Sequence, residues 1–252
     1  MRAIGSNYTA PVCVGIAIGL WFVLWPMPAS AQSVSFDLGE GGSLTATSLQ
    51  LIALITLLSL APGIAIMVTC FPFMVTVLAI LRQAIGLQQS PPNMLIVSLA
   101  LFLTYYVMEP VFTEAWDLGV APLLEDRLPL EEAFAAALGP FRLFMAGRLD
   151  PETFRAMADL RPDAIGSPLS PDAPLSILVP SFMLSEIARA FQVGFLIFLP
   201  FLVIDLVVAA VLMSMGMMMV PPAIVSLPFK LAFFVIADGW ALLAGSLVRG
   251  YF

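Results

Sequence analysis

The sequence predicts an all-α, membrane-associated fold: apolar helical hairpins built from broken helices, with a small helical periplasmic insertion between them. Three observations predict it. The 252 residues are 61% hydrophobic and 11% charged, with a mean hydropathy of +1.02, whereas a soluble domain carries about a quarter charged residues. The apolar residues fall in long runs, at 49–81, 94–108, 190–213 and 231–248. Proline or glycine punctuates three of these runs, which predicts broken helices that neighbours must resatisfy. The net charge of −7 argues against nucleic acid as a partner. The chain has no histidine, which removes His general bases and His metal ligands.

Residues 1–31 read as a cleavable Sec-type signal peptide. Arg2 precedes the apolar run 11–25, and Ala29-Ser30-Ala31 is a small-x-small cleavage site before Gln32. The alternative is an uncleaved first membrane helix. Cleavage between Ala31 and Gln32 removes Cys13, leaves Cys70 as a lone thiol, and puts the mature N-terminus outside the cytoplasm. A lone Cys in an apolar run behaves as a small hydrophobe. Residues 32–48 are polar and bear Gly and Ser, which predicts a flexible mature N-terminus.

Residues 49–112 form the predicted first hairpin. As one straight helix the run 49–81 would be roughly 50 Å long, against ~30 Å for a bilayer core. Pro62-Gly63 and Pro72 cut it, so two helical pieces with a break near 61–63 are expected; a single tilted, kinked span is the alternative. Gly86 is suited to end the helix before it, and Pro91-Pro92 to start the next. Arg82 assigns this link to the cytoplasmic side. The second arm, 94–108, ends at Glu109-Pro110 and continues to Trp116 before charges begin.

Residues 113–179 read as the soluble helical periplasmic region. Between Glu114 and Asp172 stand eleven acids and five arginines, which suit a solvated face. Apolar residues at helical spacing predict helices over 130–138 and 141–146, separated by Pro140. Asp150-Pro151-Glu152 has the form of a helix start, and 161–174 is a loop.

Residues 180–252 form the predicted second hairpin, with its first arm interrupted by Pro200 and Asp205. Glu186 and Arg189, three apart, share a helix face as a local ion pair or as intersubunit contacts. The reversal carries five methionines in seven residues, 213–219, followed by Pro221-Pro222. If the fold-back centres on Met217 and Met218, Asp205 and Lys230 occupy mirror positions. A carboxylate and an ammonium in apolar runs are costly alone and tolerable together, so they are expected to pair, within the hairpin or between subunits. Asp238 is a third ionisable group in these arms and, with Glu186 and Arg189, a candidate intersubunit contact. A relay through Asp205, Lys230 and Asp238 would instead suit an ion-coupled membrane transporter. No Gly-x-Ser-x-Gly string or closely spaced intramembrane aspartate pair suggests an enzyme, and no cofactor or metal is called for.

Ordered strings in the chain resemble the FliP family of the flagellar type III protein export gate. They are Leu81-Arg82-Gln83-Ala84-Ile85-Gly86, Pro91-Pro92-Asn93, Leu99-Ala100-Leu101-Phe102-Leu103-Thr104, Pro200-Phe201-Leu202-Val203-Ile204-Asp205, Ser226-Leu227-Pro228-Phe229-Lys230 and Asp238-Gly239-Trp240. The resemblance implies a channel-forming structural subunit, in five copies, joined to FliQ-like and FliR-like membrane subunits and passing unfolded flagellar proteins. It implies a place in the bacterial inner membrane and flagellar basal body, with much of the complex projecting into the periplasm. Met217, Met218 and Met219 would form a gasket in its pore. Injectisome counterparts are the related alternative; the signal peptide favours the flagellar branch. One departure stands out: where relatives commonly read Thr-Ser-Phe-Thr-Arg, this chain has Thr69-Cys70-Phe71-Pro72-Phe73, so the basic residue is absent.

Overall fold

A computed structural model describes residues 44–87, 91–162, 164–217 and 219–251. The chain divides into two compact units, Met1–Ala53 and Leu54–Phe252. In the first, the described part is only the opening of one helix. The proposed cleavage point at Ala31 and Gln32, Cys13 and Met218 lie outside the described residues.

Among the described residues all regular structure is helical. The first helix, α1 (Leu44–Met67), begins before the apolar run does and passes straight through Pro62. The expected break near 61–63 falls instead at 68–70, where the chain bends by 65° into α2 (Phe71–Ile85). Local bonding explains the shift. The Thr69 hydroxyl donates to the Ile66 carbonyl at 3.0 Å and accepts from the Phe71 amide at 3.4 Å. Pro72, which has no amide hydrogen, sits in the first turn of α2, where none is needed. α2 ends as expected at Gly86, whose φ of 91° is left-handed and whose amide donates to the Gln83 carbonyl.

After Pro92, α3 (Asn93–Ala115) runs through Pro110 into a π-helical turn, Trp116–Val120, and then α4 (Ala121–Leu124). Its buried residues Ile96, Ala100, Leu103 and Val107 keep a spacing of three to four and face the core, with Met108 beside them. The insertion carries α5 (Leu130–Arg148) and α6 (Pro151–Asp159). Pro140 does not divide α5 as its sequence suggests. The helix continues because Pro140 is buried in packed surroundings that fix the backbone despite the lost hydrogen bond. The π turn lies hard against α5: a Cβ on Gly119 would stand 2.6 Å from the Ala133 carbonyl oxygen.

The longest element is α7 (Leu175–Ser214), 40 residues without interruption at Pro180, Pro200 or Asp205. At 1.5 Å per residue it is about 60 Å long. The return arm begins at Pro222 and is two helices, α8 (Pro222–Ile236) and α9 (Gly239–Arg249), set 63° apart. Asp238 makes that bend with φ 49°, a left-handed conformation that Asp tolerates better than most residues.

One hydrophobic cluster joins α2, α3, α7, α8 and α9. A second joins the end of α5, α6, the loop after it and the start of α7, around Phe154, Ile177 and Phe182. α2 lies along α7, where Gly194 leaves no room for a side chain beside Ile80. By length and composition, Asn93–Leu124 and Leu175–Ser214 are long and apolar enough to cross a membrane, and each bent pair adds a further candidate. Phe191, Phe195, Leu196, Leu202, Leu206 and Val207 are exposed along α7, an outward face suited to lipid or to protein.

Candidate functional site: a charged clasp, a buried carboxylate and a methionine turn

The apolar strings of α7 and α8 bring Asp205 and Lys230 together. Lys230 Nζ lies 2.6 Å from Asp205 Oδ2, and Ser226, one turn before Lys230, donates to Asp205 Oδ1 at 2.6 Å. The ammonium also donates to the Ala84 carbonyl at 3.0 Å. That carbonyl belongs to the last turn of α2, where carbonyls lack helical partners and carry the negative end of the helix dipole. Lys230 therefore clasps three elements, α7, α8 and the end of α2. The lysine is buried, while the Asp205 side chain keeps 35% exposure. Sequence symmetry pointed to the charge pair; the roles of Ala84 and Ser226 carried no signal of their own.

Asp238 makes no ion pair among the described residues and lies exposed at the bend, where its backbone turns the chain.

Glu186 and Arg189 do not form the local pair that their spacing suggests. Glu186 is fully buried and takes its partners from elsewhere. Arg148, at the end of α5, brings its Nε to 3.4 Å from Glu186 Oε1; the approach is an ion pair without hydrogen-bond alignment. The Tyr251 hydroxyl donates to Glu186 Oε2. Arg189 turns away and donates to the Arg148 carbonyl at 3.3 Å. The reason is geometric: Glu186 is on the inward face of α7, and Arg189, three residues on, is only partly buried. Arg148 and Tyr251 were missed because their sequence neighbourhoods carry no pattern that links them to position 186. Phe73 packs edge-on against the Tyr251 ring at 5.6 Å.

The methionine stretch sits on a completed helix cap. The Met217 amide donates to the Leu212 carbonyl at 3.0 Å and the Gly216 amide to the Met213 carbonyl at 3.1 Å. This is a Schellman arrangement, and Gly216 supplies the left-handed residue it needs, at φ 75°. Met213, Met215, Met217 and Met219 are all exposed, Met219 at 97%. The turn is thus rigid at its root and presents thioethers outward.

Long apolar helices folded as hairpins, an exposed apolar face and buried ionisable groups each held by an oppositely charged partner define a helical membrane protein. The comparisons are specific. The FliP family model matches residues 54–247. The flagellar biosynthetic protein FliP of Caulobacter vibrioides is 51% identical over 240 residues, covering 94% of this chain and 90% of that protein. FliP of Agrobacterium fabrum is 47% identical, covering 91% and 96%, and FliP of Bacillus subtilis 43%, covering 81% and 92%. The chain belongs to the FliP family. Membership makes it a membrane-embedded component of flagellar biosynthesis.

Proposed function

We propose that the protein is a channel-forming structural subunit of the flagellar type III export gate, without catalytic activity. Several copies, joined by FliQ-like and FliR-like subunits in the bacterial inner membrane, would surround a path for unfolded flagellar proteins. The observation that carries this reading is the methionine turn. Met217 and Met219 stand exposed at the tip of a hairpin whose root is fixed by a complete cap, so they pack no core of their own chain. An unbranched, polarizable side chain repacks around variable cargo and closes again. The ~60 Å of α7 is about twice a bilayer core, which supports a complex that projects beyond the membrane, as the periplasmic reading requires. The flagellar names of the relatives favour that branch over an injectisome. The transporter reading gains no support. Lys230 is held by Asp205 and Ala84, and Asp238 lies apart from them at a bend.

The experiment is deletion of residues 217–219 in cells carrying the whole basal body, with ion conductance and oligomer yield read together. A leak with a normal oligomer is expected. Loss of the oligomer without a leak would make these methionines packing residues instead.

A further inference from the structure

The return arm holds a feature that the channel reading does not use. Helix α9 buries only Leu243 and Leu247 of its own residues. Beneath its first turns lies an apolar cleft of about 380 Å³, walled by Leu78, Leu99 and Leu103 on one side and by Trp240, Leu243 and Ala244 on the other. Side chains facing a gap forfeit their dispersion partners, so this part of α9 is weakly held. Its two ends are different. At one end, Asp238 turns the chain by 63° in a left-handed conformation, and Trp240 meets Phe234 edge-on at 5.3 Å.

At the other end, polar and aromatic contacts converge. Arg148 Nη1 donates to the Gly250 carbonyl at 2.6 Å, and the guanidinium lies 3.9 Å over the Tyr251 ring. Phe144 stacks on the same ring at 6.2 Å. The Tyr251 hydroxyl reaches Glu186, a carboxylate with no exposure. These polar partners come from α5, in the insertion, and from α7, in the second hairpin, while Phe73 of α2 meets the same ring edge-on.

We propose that α9 is a hinged strap across the apolar cleft, held shut by a latch in which Gly250 and Tyr251 dock on Arg148 and Glu186. The latch makes the seat of the strap depend on the insertion: a displacement of α5 withdraws Arg148 from both the carbonyl and the ring. Weakly packed segments open first in native proteins. A hydrogen bond to a buried carboxylate is among the stronger ones such a segment can have.

The test uses the full chain purified in detergent. Tyr251→Phe keeps the ring contacts and removes the hydroxyl; Arg148→Lys keeps a cation and removes the fork. Each should speed amide exchange across residues 239–249 by roughly tenfold or more, while residues 77–85 of α2 exchange at the wild-type rate. In a Leu103→Cys background, Tyr251→Phe should also speed alkylation of that cysteine, which is buried in the cleft wall. Unchanged exchange in 239–249, equal acceleration through α2, α7 and α9, or unchanged alkylation would each overturn the latch. So would failure of both variants to fold, because a latch is dispensable to the core it closes over.

Discussion

Lys230 and Asp205 are bonded to each other, yet they are not equivalent. Lys230 is buried, and Asp205 reaches water over about a third of its side chain. Breaking a buried pair costs roughly 3–5 kcal/mol because the remaining charge is uncompensated. Asp205→Ala leaves that charge on the buried lysine and should cost near this range. Lys230→Ala leaves a carboxylate that water can approach and that Ser226 still serves, so it should cost less. Thermal unfolding of the two variants in detergent gives the order. Exchanging the charges should recover only part of the loss, since an aspartate at 230 would face the Ala84 carbonyl oxygen. Equal and negligible losses in both single variants would remove the clasp from the account. At Asp150 the chemistry sets a pH dependence. Its carboxylate accepts from the Thr153 amide, and secondarily from the Thr153 hydroxyl, and these bonds hold its pKa below the usual 3.8. The stability it lends to α6 is therefore full above the ordinary carboxylate pKa and is lost as pH falls through the lowered value. Amide exchange of residues 151–159 should accelerate in acid below about pH 4, and Asp150→Asn should flatten that profile.

Among the elements, the contact of α2 with α7 depends on the missing side chain at Gly194. A methyl at Gly194 would collide with Ile80, whose Cγ2 and Cβ would lie at 3.1 and 3.2 Å. Ile80 is β-branched and stiff at χ1, so it cannot swing aside cheaply. Gly194→Ala should destabilise by about 1–3 kcal/mol, the usual cost of overpacking. Adding Ile80→Ala should restore part of it, and a thermal melt of the double variant checks the pairing. The prolines show a related principle from the other side. Pro62, Pro110, Pro140 and Pro200 sit inside continuous helices. The first chain break instead follows Thr69, whose hydroxyl serves the freed backbone groups at the bend. Where a proline breaks a helix depends on who satisfies the backbone around it.

For the molecule as a whole, the proposed gasket sets the methionine turn in an assembly, and the outward apolar faces suit a membrane. Replacing Met217, Met218 and Met219 by Ser should leak less than deleting them and more than the wild type. Volume is partly kept while the dewetted constriction is lost. Conductance of the three strains at matched oligomer yield gives that order, and a wild-type conductance in the Ser strain would count against an apolar seal. The mature protein is expected to begin at Gln32, and N-terminal sequencing of membrane-inserted protein checks it; recovery of Met1 would make the leader a first membrane helix.

Composition and the length of the apolar runs by themselves determined the all-helical, membrane-embedded class, because backbone in lipid is satisfied in helices or closed barrels, and long runs without alternation fit helices. Local chemistry was equally legible at Gly86 and Asp150, where a cap depends on residues one turn apart, whereas the cap at Gly216 emerged only from the backbone geometry. The Asp205–Lys230 pair followed from mirror symmetry about a turn. Tertiary structure alone decided what lies beyond that reach. The Ala84 carbonyl, 146 residues from Lys230 in sequence, serves as its second partner. Glu186 passes over Arg189 for Arg148 and Tyr251, because the inward face of α7 meets α5 and the end of α9 there. Sequence spacing fixes which residues share a face of one helix; which other helix meets that face is set by packing across the whole chain.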